Sequence, residues 1–409
     1  MLNHLLGHLP AGIAENRIAA RLSEWSRRQD LPLTIELWNG RRFELGATSR
    51  AVLRLNSARA IGALMEPSLS SLGEAYVEGL MDLEGDVRDV IALSAGLAAQ
   101  PGGARRSEAA RATHSRKLDA ESIRHHYDVS NAFYGLWLDP AMVYSCAYFR
   151  HPDDTLEAAQ RQKIDHILRK IRLQPGQRLL DIGCGWGALV LRAAEHFGAR
   201  CVGVTLSERQ FELASQRVYD AGLADRVEIR LQDYRDVAEH FDRITSVGMF
   251  EHVGLGNLRL YFERIRDLLA EDGIALNHGI TSGDPDSAGT PFGGGDFIER
   301  YVFPHGELPH IGLALQEISA AGLEATDVEN LRLHYAMTLR HWSARFEANA
   351  TRLRELAGEK RFRVWRVYLP GCAYAFDAGW IALHQIVLTR PATLARPLLP
   401  LTRDYMYGP

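Results

Sequence analysis

Three glycines spaced by two, Gly183, Gly185 and Gly187, follow an apolar run that ends in Asp181 and Ile182 and precede an alanine-rich stretch. Glycine at such positions takes backbone conformations closed to other residues and lets a ligand come within contact distance, while the start of the next helix presents unpaired N–H groups. The chemistry this predicts is the binding of something with a flat, polar surface. The spacing is G-x-G-x-G, which departs from the dinucleotide pattern G-x-G-x-x-G. Further residues with chemical capacity are Cys146 after Tyr144-Ser145, Glu251-His252 at a strand end, His278 in ALNHGI, Tyr335 in LRLHYAMTLRHW and Cys372 in LPGCAYAF. Each also has a structural reading: a cysteine as a small buried hydrophobe, Glu251 as a helix-entry cap, Tyr335 as a core aromatic. No cluster has metal-ligand spacing, so no metal is expected, and no Ser/His/Asp order suggests a hydrolase.

The elements that must position these residues alternate strand and helix. Strands are predicted at 178–182, 200–204, 227–231, 243–247 and 273–278, with helices at 188–197, 207–221 and 257–270. Such alternation predicts a doubly wound parallel sheet with its ligand at the carboxyl ends of the strands, where the glycine turn falls. Beyond His278 come a loop, SGDPDSAGTPFGGGDFIERYVFP, and further helices rich in aromatic residues. Upstream, Ile18, Leu22 and Trp25 recur at helical spacing, Asn39-Gly40 marks a hairpin, and residues 70–97 read as helical again. The division expected is a small α+β domain over 1–100, a basic linker over 101–119, a catalytic domain over 120–392 and a tail over 393–409. In the linker, five Arg/Lys stand against one Glu from Ala104 to Lys117. It is either a solvated spacer or a contact for anionic head groups.

Composition sets outer limits. At 409 residues, two domains are expected; 46% hydrophobic and 24% charged residues describe ordinary globular material. A net charge of −4 argues against a nucleic-acid binder that relies on a basic field. The four cysteines are scattered without paired spacing, which fits free thiols in a reducing cytosol. The opening MLNHLLGHLPAGIAE has no basic region before its short apolar segment and makes a poor signal peptide, and no apolar run approaches the roughly 18 residues needed to span a bilayer.

The glycine turn resembles that of class I S-adenosylmethionine-dependent methyltransferases, whose fold is doubly wound and Rossmann-like. Arg124 to Asn131 (RHHYDVSN), Tyr144 to Phe149 (YSCAYF), Gly248 to Gly254 (GMFEHVG) and Phe297 to Pro304 (FIERYVFP) stand in order around it. Together they resemble the cyclopropane fatty acid synthases and the related mycolic acid methyltransferases over roughly residues 120–390. Strand two ends in Thr205, where most class I methyltransferases have an acidic residue, and this neutral ending matches the same subfamily. The resemblance implies extra helices on the core fold and an activity on membranes. The methyl of S-adenosylmethionine is added to a cis double bond of a phospholipid acyl chain, and loss of a proton then closes a cyclopropane ring. An alkene needs no base to attack, but it needs proximity, a dry site and tolerance of positive charge.

By the same resemblance, a bicarbonate ion accepts the proton. It would be held by Cys146 (largely through backbone), Glu251, His278, the Ile280 backbone N–H and Tyr335, with Cys372 matching a further cysteine treated as functional in the family. Glu251 beside an anion must be protonated or bonded through a neighbour. The cofactor residues implied are Tyr144 and Ser145 at the methionine end, residues 179–187, among them Asp181, Gly183, Gly185 and Gly187, around its carboxylate and amino group, Thr205 to Gln210 at the ribose, and Asp233, Tyr234 and Arg235 at the adenine. A homodimer at the cytoplasmic face of the membrane is the implied setting. A methyl- or methylene-branched lipid product remains open, as do a small-molecule methyltransferase and a noncatalytic lipid binder. An apolar set including Phe303, Leu308, Ile311, Leu313 and Leu315 favours an acyl chain, though these could equally be core.

Overall fold

The structure, a computed structural model, describes residues 11–28, 30–99, 130–287, 290–392 and 398–407. The expected basic linker and the first motif's residues 124–129 lie outside the described residues. Packing divides the chain into two compact units: residues 1–109, 289–304 and 346–378 form the first, and residues 110–288, 305–345 and 379–409 the second.

In the first unit the helix Ala11–Arg28 buries Ile18, Leu22 and Trp25, the stripe its spacing predicts. Strands β1 (Leu33–Glu36), β2 (Arg42–Glu44), β3 (Ala51–Leu55) and β4 (Met81–Gly85) form a sheet in the order β2-β1-β3-β4. The β1/β2 hairpin turns at Gly40, whose φ of +82° suits glycine. The helix expected over 70–97 is broken by β4 into Leu69–Val77 and Val87–Ala98. Two segments that the sequence placed in the catalytic domain pack here. Phe297, on the helix Gly294–Tyr301, lies so close to Gly73 that a Cβ there would stand 2.8 Å from its ring. Arg363, on the kinked helix Ala350–Asp377, donates to the Tyr76 carbonyl at 2.9 Å and pairs with Asp82 at 2.8 Å. A cut at residue 100 would therefore sever one folded unit, because residues 346–378 keep their partners only while 1–100 are present.

The second unit is built on seven strands: β5 (Arg178–Ile182), β6 (Arg200–Thr205), β7 (Val227–Leu231), β8 (Phe241–Val247), β9 (Leu269–Ser282), β10 (Glu324–Asn330) and β11 (Ile381–Thr389), in the order β10-β11-β9-β8-β5-β6-β7. The five strands read from the sequence pair in parallel; β11 runs antiparallel to both β9 and β10. Alternate residues feed two cores. Leu180, Ile182, Val204 and Ile386 face the helices Leu258–Leu268 and Ile311–Ala320, while Leu179, Cys201, Leu276 and Val387 face Leu156–Lys170 and Ala188–Phe197. Ile311, Leu313 and Leu315 pack against the first of these cores, so the core reading of those three holds. The tail is anchored where described: Met406 is buried, its carbonyl accepts from the His166 ring, and Arg403 pairs with Asp327 at 2.6 Å. Among the described residues no helix is long and apolar enough to cross a membrane.

Candidate active site

A cavity opens at the carboxyl ends of β5, β6 and β8, lined by Tyr144, Ser145, Asp181, Gly183, Gly185, Thr205, Gln210 and Tyr234 among others. The turn beneath it is what the glycine spacing implied. Gly183, Gly185 and Gly187 have φ of +77°, +54° and +82°. Gly183 and Cys184 both donate to the Val204 carbonyl at 3.0 Å, closing the turn against β6. Gly187 does not line the cavity. It starts the helix Ala188–Phe197 and lets Ala214 approach, since a Cβ at 187 would sit 3.3 Å from the Ala214 methyl. Asp181 is buried and accepts from the Thr245 hydroxyl at 2.7 Å; burial raises its carboxyl to about 6.

The ribose side differs in detail from expectation. The Thr205 hydroxyl donates to Gln210 Oε1 at 2.8 Å and accepts from Ser207 N at 3.2 Å. Thr205 thereby orients Gln210, which lines the cavity with it. Asp233 caps the turn Tyr234–Asp236 and grips Arg235 at 2.7 Å, so Arg235 and Tyr234, rather than Asp233, line the wall.

The segment Val143 to Phe149 is held from two sides. On the helix Leu156–Lys170, Gln160 donates to the Ser145 carbonyl at 2.9 Å and Lys163 Nζ donates to Ser145 Oγ at 2.7 Å. On the helix Arg332–Ala348, Thr338 Oγ1 accepts from Ala147 N at 3.0 Å and His334 Nδ1 from Phe149 N at 3.1 Å. This second contact brings Cys146 to the turn of helix that carries Tyr335, with the Cys146 sulfur 3.9 Å from the Leu331 carbonyl. Cys146 is fully buried and burial pushes its thiol up, so it is a neutral thiol and no nucleophile. Tyr335 meets Trp342 edge-on at 6.0 Å, and Trp342 packs with Trp137 and Tyr144 at 5.6 and 5.3 Å, an aromatic group that reaches the cavity through Tyr144.

Glu251 and Ile280 are joined directly. β9 runs past the end of β8, where Val247 pairs with His278, so the next N–H along that edge belongs to Ile280 and faces no strand. Glu251 Oε1 takes it at 2.7 Å. The N–H expected to hold an anion is thus engaged by the carboxylate. The other oxygen, Oε2, is shielded from solvent without a hydrogen-bond partner among the described residues, and burial raises the carboxyl to about 7. His278, two residues before Ile280 on the same face of β9, is fully buried and held well below the usual imidazole range by burial, with Lys163 and Lys170 adding to the effect. Gln385 donates to its Nδ1 at 3.2 Å, which places the proton on Nε2, and among the described residues Nε2 has no partner. Cys372 lies in the other unit, on the helix Ala350–Asp377, where burial raises its thiol to about 12.

Sequence reasoning missed Lys163 and Gln160, and gave His252 no role beyond a helix-entry cap. Lys163, Arg235, Trp186 and His252 all line the cavity, and burial lowers Lys163 to about 8. Trp186 donates to Asn131 Oδ1 at 2.9 Å, fixing the end of the motif that begins at Arg124. The usable signal for the helix residues was a polar stripe, Gln160, Lys163 and Lys170, on the face that also carries Ile164 and Ile167.

Residues 114–386 match the family described as mycolic acid cyclopropane synthetase, and residues 24–99 match a family described as a domain of unknown function. The chain is 48% identical over 389 residues to a probable fatty acid methyltransferase of Pseudomonas putida, covering 92% of this chain and 96% of that one. It is 41% identical over 267 residues to the cyclopropane-fatty-acyl-phospholipid synthase of Escherichia coli (strain K12), covering 65% of this chain and 67% of the relative. Among solved structures, a mycolic acid cyclopropane synthase complexed with SAH and CTAB superposes with a TM-score of 0.63 at 39% identity, over 66% of this chain and 97% of that one.

Proposed function

Because the chain belongs to the mycolic acid cyclopropane synthetase family of S-adenosylmethionine-dependent enzymes, we propose that it converts a cis double bond in a phospholipid acyl chain into a cyclopropane ring. The bound cofactor supplies an electrophilic methyl group to the alkene. The protein's part is to hold that donor on the glycine turn, to exclude water and to provide for removal of one proton. Tyr144, within its cluster with Trp137 and Trp342, puts aromatic faces beside the cavity, which favours positive charge there.

The observation that carries the reading is the pair of buried, unpartnered polar atoms Glu251 Oε2 and His278 Nε2. Buried polar atoms without partners are costly and rare, and at a ligand site they mark what is to be bound. One is an acceptor and the other a donor. Bicarbonate presents one O–H and further acceptor oxygens, the chemical complements of the two; neither residue lines the cavity itself, and an ion bound by them would supply the proton acceptor that ring closure needs. Once Glu251 ionises, above about pH 7, its Oε2 takes that O–H while Oε1 keeps the Ile280 N–H, and the neutral His278 donates to an oxygen. In carbon dioxide-free buffer, turnover is expected to fall about tenfold or more and to return on adding bicarbonate, while cofactor affinity by calorimetry stays the same. Undiminished turnover would remove bicarbonate from the account.

A second reading, a methyl- or methylene-branched product, is favoured by the name of the Pseudomonas putida relative. Both products share methyl transfer to the alkene. The ring forms when the transferred carbon loses a proton and closes onto the cation. A methylene branch forms when a hydride shift first moves the cation to the methyl-bearing carbon and the transferred carbon then loses its proton. Peripheral binding at the cytoplasmic face of a bilayer and assembly as a homodimer belong to the same proposal. They are supported by the family resemblance, and for the bilayer by the E. coli relative's name.

A further inference from the structure

Two lysines on the helix Leu156–Lys170 are buried, and they are treated differently by their surroundings. Lys170 pairs with Glu329 at 2.6 Å and Asp327 at 3.1 Å. Among the described residues Lys163, 2% exposed, has a single hydrogen bond, 2.7 Å to the Ser145 hydroxyl, and forms no ion pair with any carboxylate. The nearest anions, Asp139 and Asp181, attract it only at longer range, without an ion pair. Asp139 accepts from Ala141 N at 3.0 Å and Val143 N at 2.9 Å, and Asp181 from Thr245. An ammonium with one neutral partner is expensive to bury, and proteins accept that cost where a ligand completes the pairing. Lys163 and Ser145 both line the cofactor cavity, as does Asp181.

The methionine end of S-adenosylmethionine is a zwitterion, and this wall offers one buried cation and one buried anion. We propose that Lys163 is the counter-charge for the cofactor's α-carboxylate, acting beside and through Ser145, while Asp181 faces the α-ammonium. The inference rests on the cofactor reading above. It makes Lys163 a specificity-determining residue: the cavity selects adenosyl sulfonium compounds that carry a carboxylate. Gln160 assists by fixing the Ser145 backbone, so that the hydroxyl stands where the ammonium can reach it.

The test is calorimetric titration of the full-length protein with S-adenosylmethionine and with decarboxylated S-adenosylmethionine, which keeps the adenosine and the sulfonium and lacks only the carboxylate. The wild type is expected to prefer the complete cofactor by about 100-fold. Lys163→Met should weaken S-adenosylmethionine about 30-fold or more and change the decarboxylated compound less than threefold. Ser145→Ala should lose about tenfold on the first ligand alone. Equal affinity of the wild type for the two ligands overturns the proposal, as does equal weakening of both by Lys163→Met. Should Lys163→Met fail to fold by circular dichroism, wild-type discrimination and its reduction in Ser145→Ala decide the matter. A wild type that binds neither compound sinks the cofactor reading along with the inference.

Discussion

Glu251→Gln is expected to lower turnover about 100-fold while leaving S-adenosylmethionine affinity within threefold, and to make the protein more stable above pH 7. The substitution keeps the acceptor for Ile280 N–H, now bonded at 2.7 Å, and removes the charge from the oxygen that has no protein partner. A neutral amide no longer accepts the O–H of a bound bicarbonate as a carboxylate does, and acid–base assistance of this kind is worth roughly 10²–10⁴ in rate. The stability effect follows from linkage. In the folded chain the carboxyl keeps its proton up to about pH 7 against an ordinary 4.5 when unfolded. Between those values the folded state therefore binds more protons, and stability falls as pH rises through the window. At about 1.4 kcal/mol per pH unit the ceiling is about 3 kcal/mol. Glutamine removes that decline. Thermal melts should show the variant above the wild type at pH 8, with the gap shrinking toward pH 5. Parallel loss of turnover and cofactor binding would instead mean that Glu251 shapes the cavity.

Gly183→Val should abolish cofactor binding, with affinity falling about 100-fold or more. Gly183 sits at φ +77°, where a β-branched residue is strained by an amount on the order of 1–3 kcal/mol. Its new Cβ would also stand 3.3 Å from Met249 Cβ, on the cavity wall. Strain and blockage are separated by Gly222→Ala. That position has φ +67° and open space around it, and it does not line the cavity. The control should melt lower and bind the cofactor within threefold of wild type. If both variants bind normally, the turn is not the cofactor's seat.

What could be read before the structure was what residue type alone marks. Apolar runs at 178–182 and 200–204, and glycines where only glycine is comfortable, placed β5, β6 and the turn between them. β10, EATDVEN, was illegible because it is a polar edge strand, mostly uncovered, with no alternation to detect. β11 was missed among segments expected to be helical, since its burial comes from being pinned between β9 and β10. Lys163 taken alone reads as an ordinary surface lysine; its place on the face of Ile164 and Ile167, which packs against the sheet, is what marks it as inward. Ile280's engagement by Glu251 depends on where β8 stops, which no local pattern records. The membership of 289–304 and 346–378 in the first unit rests on contacts hundreds of residues away in sequence, such as Arg363 with Tyr76. Cys372, placed in chemistry by resemblance, belongs to that unit rather than to the one that carries the cavity.

The central claim is that the cofactor's methyl becomes the bridging carbon of a ring. Mass alone does not distinguish a ring from a methylene branch, because the two are isomers. Vesicles of a phospholipid with a cis-monounsaturated chain should be incubated with the enzyme, S-adenosylmethionine carrying a labelled methyl group, and bicarbonate, and the extracted lipid examined by NMR. The account predicts high-field cyclopropane proton signals on the labelled carbon. Signals of a methyl or methylene branch, with the high-field region empty, would contradict it.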